Sequence, residues 1–355
     1  MKQFAQQDIP PTACCCINTC HRGLGGGFYG ILKLALPGGA GFIGSHLVDR
    51  LVSEGYRVIV VDNLSSGSVE NLRRHIDSNT VELVIGDLKD PYTALRSVEG
   101  ADVVFHFAAN PEVRVSSVDP GVHFNENVVA TFNLLEAMRR RGVKEIVFAS
   151  SSSVYGEPDS IPVGEDAPLR PVSVYGASKA SCESLIHAYT RLYSLRAVVL
   201  RYANIVGPRM RHGVVWDFIV KLRGNPVELE VLGDGSQVRS YMHVGDAVEA
   251  TITAWTRGGE GHQVYNIASE DWIAVDEVAD IVVEAMGLKG VRKKYKPVLH
   301  GVGWPGDVKR IALKIDKLKS IGFKPRMSSR EAVRTAVEEL LEELSKERVG
   351  GKAGL

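Results

Sequence analysis

Gly38-Gly39-Ala40-Gly41-Phe42-Ile43-Gly44 decides the fold of this chain, because it joins an apolar run, Ile31 to Leu36, to a helical pattern, Ser45 to Ser53. A strand, a glycine turn and a helix N-terminus in succession make a pyrophosphate site. With no side chains at Gly38, Gly41 and Gly44 the backbone turns sharply and approaches the phosphates. The free N–H groups of the first helical turn, with the helix dipole, then hold the negative charge. A second apolar run, Val58-Ile59-Val60-Val61, follows and ends in Asp62, a carboxylate placed to bond the hydroxyls of an adenine ribose. The βαβ unit is complete.

From Ile31 to about Ile205 short β-branched runs alternate with helical patterns: Val58–Val61, Val81–Ile85, Val103–Phe107, Glu145–Ala149 and Ala197–Leu200 are the strand candidates. Such alternation predicts an α/β fold, a doubly wound parallel sheet of the Rossmann type, with ligand contacts in the loops at the strand C-termini. Those loops carry Gly38–Gly44, Asp62-Asn63, Asp87-Leu88, Phe107-Ala108-Ala109, Ser150–Ser153 and Tyr202–Asn204. Beyond residue 205 the pattern loosens, punctuated by Gly207-Pro208, Gly233-Asp234-Gly235 and Trp304-Pro305-Gly306. We expect residues 31–205 to form the dinucleotide-binding domain, with a later strand near 264–268 returning to it, and 206–355 to form mainly a smaller, irregular substrate-binding lobe. Asp276 to Met286 and Ser329 to Glu347 read as amphipathic helices.

The 355 residues suffice for a sizeable core, and 42 basic against 42 acidic side chains give no net charge. Nothing there suggests a nucleic acid or an anionic membrane as partner, so small-molecule chemistry is the better expectation. Of the five cysteines, Cys14, Cys15, Cys16 and Cys20 crowd into one stretch and only Cys182 lies in the body, which is no disulfide framework. Three adjacent thiols do not converge on one tetrahedral ion, even with His21 beside them, so no metal centre is expected. The first 30 residues read as a disordered extension without the apolar core of an export signal, and a start at Leu32 is an alternative to the first Met. The expectation is a cytoplasmic protein.

Tyr175 and Lys179 lie one turn apart in a helical stretch, Val174 to Tyr193, and so share a face. An ammonium near a phenol, with the positive nicotinamide of an oxidised cofactor, lowers the phenol's pKa from about 10 towards neutrality and makes Tyr175 a general base. Ser151, at the end of another strand, is placed to offer a hydroxyl to the same oxygen.

The set Gly38-x-x-Gly41-x-x-Gly44, Asp62-Asn63-Leu64, Gly86-Asp87-Leu88, His106-Phe107-Ala108-Ala109, Ser150–Gly156, Tyr175-Gly176-Ala177-Ser178-Lys179 and Arg201-Tyr202-Ala203-Asn204 resembles the extended short-chain dehydrogenase/reductases. Within them it is most similar to the NAD-dependent nucleotide-sugar epimerases that act on UDP-glucose. The resemblance runs from about Leu32 to near the C-terminus. It implies NAD as cofactor, held by Gly38, Gly41, Phe42, Ile43, Gly44, Asp62 and Asn63. Asp87 and Leu88 would flank the adenine, Phe107, Ala108 and Ala109 would follow the pyrophosphate and ribose, and Asn127, Tyr175, Lys179 and Tyr202 would complete the cofactor site. It implies a catalytic set of Ser151, Tyr175 and Lys179. For a UDP-sugar it implies Ser151, Ser153, Tyr175, Asn204 and Arg239 on sugar and diphosphate, and Asp307 on the uridine ribose.

The reaction so implied is inversion at C4 of a UDP-hexose (UDP-glucose or UDP-galactose) through a 4-keto sugar, in a homodimer paired through a four-helix bundle of Val122–Arg141 and Ser178–Leu195. The resembling lyases, 4,6-dehydratases and uronate decarboxylases, carry carboxylates just after the Ser; here those positions are Ser152 and Ser153, which disfavours elimination. A uronate epimerase stays open as an alternative. A non-catalytic NAD-binding regulator would have lost Tyr or Lys, and both are present. Three departures stand out: Pro37 replaces a usual Thr, Pro111 stands where many bacterial members have a ribose-binding lysine, and Trp304 replaces an arginine for the diphosphate. The last shifts the expected grip towards Arg209 or Arg211.

Overall fold

The computed structural model describes residues 31–350; the N-terminal extension with its cysteine cluster, and residues 351–355, lie outside the described residues. Seven parallel strands make the central sheet: β1 (Lys33–Pro37), β2 (Arg57–Asp62), β3 (Val81–Ile85), β4 (Val103–His106), β5 (Glu145–Ser151), β6 (Arg196–Tyr202) and β7 (His262–Ile267). They stand in the order β7-β6-β5-β4-β1-β2-β3. The order reverses between β1 and β4, and that crevice at the strand C-termini is where an open α/β sheet binds ligands.

Both faces of the sheet are covered, which explains why its strands read as unbroken apolar runs rather than as alternations. Leu34 and Leu36 of β1 pack with Leu47, Val48 and Leu51 on one face. Ala35 between them turns to the other face, where Leu134, Leu135 and Met138 lie. Pro37 is the last residue of β1, paired in register with Val61, so its missing N–H falls at a strand end, where it costs least. The first helix spans Phe42–Ser53 and so begins inside the glycine motif, earlier than the apolar periodicity from Ser45 suggested.

The helix expected over Val122–Arg141 is interrupted. It runs as Pro120–His123, then a π-helical segment Phe124–Val129, then Ala130–Arg141. The wide segment holds Asn127, whose Oδ1 accepts from Asn110 N–H at 3.0 Å and whose Nδ2 donates to Ser178 Oγ at 2.8 Å. The Val174–Tyr193 helix has the bounds expected; Ser173 Oγ caps it by accepting from Gly176 N–H.

Outside the central sheet the strands are short. Asn204–Val206 pairs with Tyr241–His243, Glu228–Leu232 with Arg292–Lys296, and Val238–Arg239 with Ile273–Ala274 and Arg310–Ile311. A separate core forms between the helices Val214–Gly224, Val275–Ala285 and Ser329–Gly350, through Phe218, Ile219, Val278, Val282, Val333 and Leu340. Among the described residues no helix is long and apolar enough to cross a membrane.

Candidate active site

The C-terminal edge of the sheet opens into a cavity of ≈ 750 Å³. Its floor is the glycine turn. Gly38 has φ +83°, and a Cβ there would lie 2.4 Å from the Ala108 nitrogen; a Cβ on Gly44 would lie 2.2 Å from the Gly38 carbonyl oxygen. Only glycine permits that approach. No side chain caps the Phe42–Ser53 helix, which leaves its first-turn N–H groups available for an anion.

Asp62 closes β2, largely buried. Its Oδ2 accepts from Ala40 N–H at 3.0 Å and its Oδ1 from Leu64 N–H at 2.9 Å. Burial raises its pKa against these two bonds, with a net upward shift. Each oxygen keeps lone-pair capacity for a hydroxyl donor. Asn63 Nδ2 donates to Asp87 Oδ2 at 3.2 Å, tying the next two loops together. A glycine cradle at an uncapped helix N-terminus with a carboxylate beside it fits a dinucleotide of the NAD type.

Tyr175, from the start of its helix, and Ser151 both line the cavity; desolvation pushes the phenol up to about 12, with Ser151 acting in the lowering direction. Ser151 Oγ accepts from Ser153 N–H (3.2 Å) and Ser153 Oγ (2.9 Å). Tyr175 N–H donates to Ser116 Oγ at 3.1 Å, and the His123 ring stands edge-on to the Tyr175 ring, 5.4 Å between centroids. Lys179 Nζ donates to the Ala149 carbonyl at 2.7 Å and lies 6.0 Å from the Tyr175 ring centroid. Burial pushes Lys179 down to about 8. The protein alone thus moves Tyr175 in the direction opposite to that expected from Lys179, because desolvation is the largest influence on the phenol.

The Lys179 shift has a measurable consequence. A lysine whose folded-state pKa is depressed from 10.5 to about 8 costs stability in full below about pH 8, and the cost fades as pH rises to 10.5, where the unfolded chain also loses its proton. Lys179→Met should therefore be more stable than the parent at pH 7, by up to ~3 kcal/mol, with the gap closing as the pH approaches 10. Urea midpoints at the two pH values check this; a gap independent of pH would contradict it.

Ser153, Asn204, Arg239 and Asp307 also line the cavity. Arg239 and Asp307 pair directly, Nη2 to Oδ1 at 2.8 Å. Arg209 and Arg211, the alternative anchors, are both engaged: Arg209 Nη2 bonds Asp49 at 2.8 Å, and Arg211 pairs with Glu343 at 3.1 Å over the Trp216 ring. Every expected site residue reaches the cavity except Asn127. Asn127 gives its amide to Asn110 and Ser178 and braces the wall from behind, while the neighbouring Glu126 lines the cavity. Trp304, at the position of a diphosphate arginine, lines the cavity, whereas sequence reasoning missed Gln237 as a cavity residue and the pairing of Glu183 with Arg201 beneath Ser150. Nothing local marks them, since their partners come from distant segments.

A family model, the NAD dependent epimerase/dehydratase family, matches residues 35–268. A UDP-glucose 4-epimerase of Mycolicibacterium smegmatis is 35% identical over 314 residues, covering 86% of this chain and 98% of that protein. A solved UDP-galactose 4-epimerase is 48% identical with a TM-score of 0.78, over 88% of this chain and all (100%) of the other. The dTDP-glucose 4,6-dehydratase DesIV of Streptomyces venezuelae, solved with NAD bound, is 29% identical with a TM-score of 0.81, over 89% and 98%. Backbone likeness alone therefore does not choose between epimerase and dehydratase.

Proposed function

The chain belongs to the NAD-dependent epimerase/dehydratase family, and from that premise we propose that it inverts C4 of a UDP-hexose, interconverting UDP-glucose and UDP-galactose. The observation that carries this reading is the gathering of Tyr175, Ser151 and Lys179 in one cavity, where the strand end after Ser151 continues as Ser152-Ser153 rather than as carboxylates. Epimerisation needs one base at the 4-hydroxyl. Dehydration needs a further acid–base pair at C5 and C6, and the positions beside Ser151 offer none.

Held by the glycine turn and Asp62, NAD would supply the hydride acceptor for C4 and the source from which that hydride is returned. Tyr175 takes the proton of the 4-hydroxyl as the 4-keto sugar forms, then gives it back after the sugar has turned over. Ser151 orients the same oxygen by hydrogen bond. Lys179 holds positive charge beneath the pair, one turn along the helix. The glycine turn and Asp62 anchor the cofactor's diphosphate and adenine ribose, and Asn204 with the Arg239–Asp307 pair faces the nucleotide of the substrate. Residues 31–205 would supply the first set, residues 206–350 most of the second.

Incubating the protein with NAD and each of UDP-glucose, UDP-galactose, their N-acetylamino forms and UDP-glucuronate, and resolving the products, tests the reading. Equilibration of the first two supports it. A 4-keto-6-deoxy product or release of carbon dioxide would replace it with lyase chemistry.

Asp62 should also select NAD over NADP. Set against a 2′-phosphate, a buried carboxylate repels by about 1.4 kcal/mol or more, roughly tenfold or more in affinity; equal calorimetric affinities would contradict this.

We further propose a cytoplasmic homodimer. Phe124 and Phe132 on one helix and Leu192 on the other are large apolar side chains left exposed, and a four-helix bundle would cover them. A monomer by light scattering at micromolar concentration would refute it.

A further inference from the structure

Among the described residues, three that line the cavity each carry a buried polar atom without a hydrogen-bond partner: Arg209 Nη1, Gln237 Oε1 and Trp304 Nε1. A buried donor or acceptor left unpaired costs about 1–3 kcal/mol, so such atoms ask for a partner from outside the chain. Arg209 has its charge answered by Asp49. The other two belong to neutral side chains.

Gln237 is 2% exposed. Its Nε2 donates to the Leu232 carbonyl at 3.0 Å, which fixes the amide: the reverse orientation would set two acceptors against each other. The amide has no room to swing, since it packs so tightly on the backbone that a Cβ at Gly233 would lie 1.7 Å from Nε2. Oε1 is therefore a held acceptor.

Trp304 opens the turn that ends in Asp307, whose N–H donates back to the Trp304 carbonyl at 3.1 Å. Its indole N–H is a held donor on the same wall; Gly303 beside it packs against Leu232. Arg239, which also lines the cavity, has both terminal nitrogens bonded within the protein. Arg239 Nη1 donates to the Val238 and Lys309 carbonyls (2.8 and 3.2 Å), and Nη2 to Asp307 and to the Val308 carbonyl.

We propose that Trp304 and Gln237 form a neutral donor–acceptor pair that grips the nucleotide half of the substrate. Trp304 Nε1–H donates to a phosphate oxygen of the diphosphate, and Gln237 Oε1 accepts from a donor on the nucleoside. The assignment follows from the chemistry of the two atoms. An acceptor cannot face a phosphate, whereas an indole N–H gains most from an anionic oxygen. The proposal rests on the UDP-hexose reading, and it makes the recognition on this wall independent of a net positive charge.

Trp304→Phe in the full-length protein loaded with NAD separates the phosphate from the nucleoside contribution. UDP should bind about tenfold more weakly or worse, uridine as well as before, and KM for the UDP-sugar should rise while kcat holds. The melting temperature should not fall, because the deleted N–H has no partner in the protein. In the unaltered protein the Trp304 indole N–H resonance should move downfield as UDP is added, a readout that needs no variant to fold. An unchanged Kd for UDP in the variant, equal weakening of uridine and UDP, or an unmoved indole resonance at saturating UDP would overturn the proposal while the epimerase reading stands. Failure of the unaltered protein to bind UDP would overturn both.

Discussion

Tyr175→Phe is expected to lower kcat about 10³-fold, within the range general acid–base catalysis supplies, while the protein keeps its NAD, its fold and its KM. The substitution removes one oxygen. The ring stays packed against His123, edge-on at 5.4 Å, and the backbone N–H keeps Ser116 Oγ. Ser151 Oγ keeps the N–H and hydroxyl of Ser153, so no buried group is orphaned. The phenol, pushed up to about 12 by desolvation, gives up its proton only with positive charge close by. The rate of the parent should accordingly rise with pH as the phenolate fraction grows, and the variant's residual rate should be flat. A fall in kcat with KM unchanged marks a group that acts in the transition state. Full activity in the variant, or loss of bound NAD with it, would remove Tyr175 from the catalytic role.

What was legible in the sequence is what local chemistry fixes. The glycine turn, β2 ending in Asp62, and the helix carrying Tyr175 and Lys179 each declare themselves within a few residues. The strands of a sheet covered on both faces are unbroken apolar runs. The start of the first helix at Phe42 was hidden, because glycine contributes no periodic side chain to read.

The π-helical segment was hidden for a different reason. It is stabilised by Asn127 bonds to Asn110 and Ser178, 17 and 51 residues away, so the helical pattern of 122–141 carries no trace of it. In the second half of the chain, strands as short as Val238–Arg239 fall below any periodicity. Arg239 and Asp307 could be singled out one by one, but their pairing across 68 residues belongs to the tertiary fold. The fates of Arg209 and Arg211, tied to Asp49 and Glu343 from the first and last long helices, were equally out of reach.

The largest loss of stability should come from Arg201→Met. Arg201 and Glu183 are each 5% exposed and joined at 2.7 Å from Nη2 to Oε2, with Nε at 3.1 and 3.2 Å from the two carboxylate oxygens. Ser150 Oγ donates to Glu183 Oε1 at 2.5 Å. Arg201 Nη1 donates to the Tyr155 hydroxyl (2.9 Å) and the Glu165 carbonyl (3.0 Å), and Tyr155 in turn to Asn266 Oδ1 at 2.7 Å. The network therefore pins the Tyr175 helix to β5, β6 and β7, and its members adjoin the site residues: Ser150 precedes Ser151, Arg201 precedes Tyr202, and Glu183 follows Lys179 by a turn. Removing the guanidinium leaves a buried carboxylate with a single hydroxyl donor. Breaking a buried pair from one side costs about 3–5 kcal/mol, most of it desolvation no longer repaid. The variant should show that loss in urea unfolding, and a lower kcat because the Tyr175 helix loses its fixed register on β5. The double variant Glu183→Met/Arg201→Met should recover much of the stability, since two apolar side chains leave no charge to strand. It should recover less of the activity, because packing alone does not restore the register. A single variant destabilised by less than about 1 kcal/mol, the worth of an exposed pair, would show that the pair does not hold the helix in place.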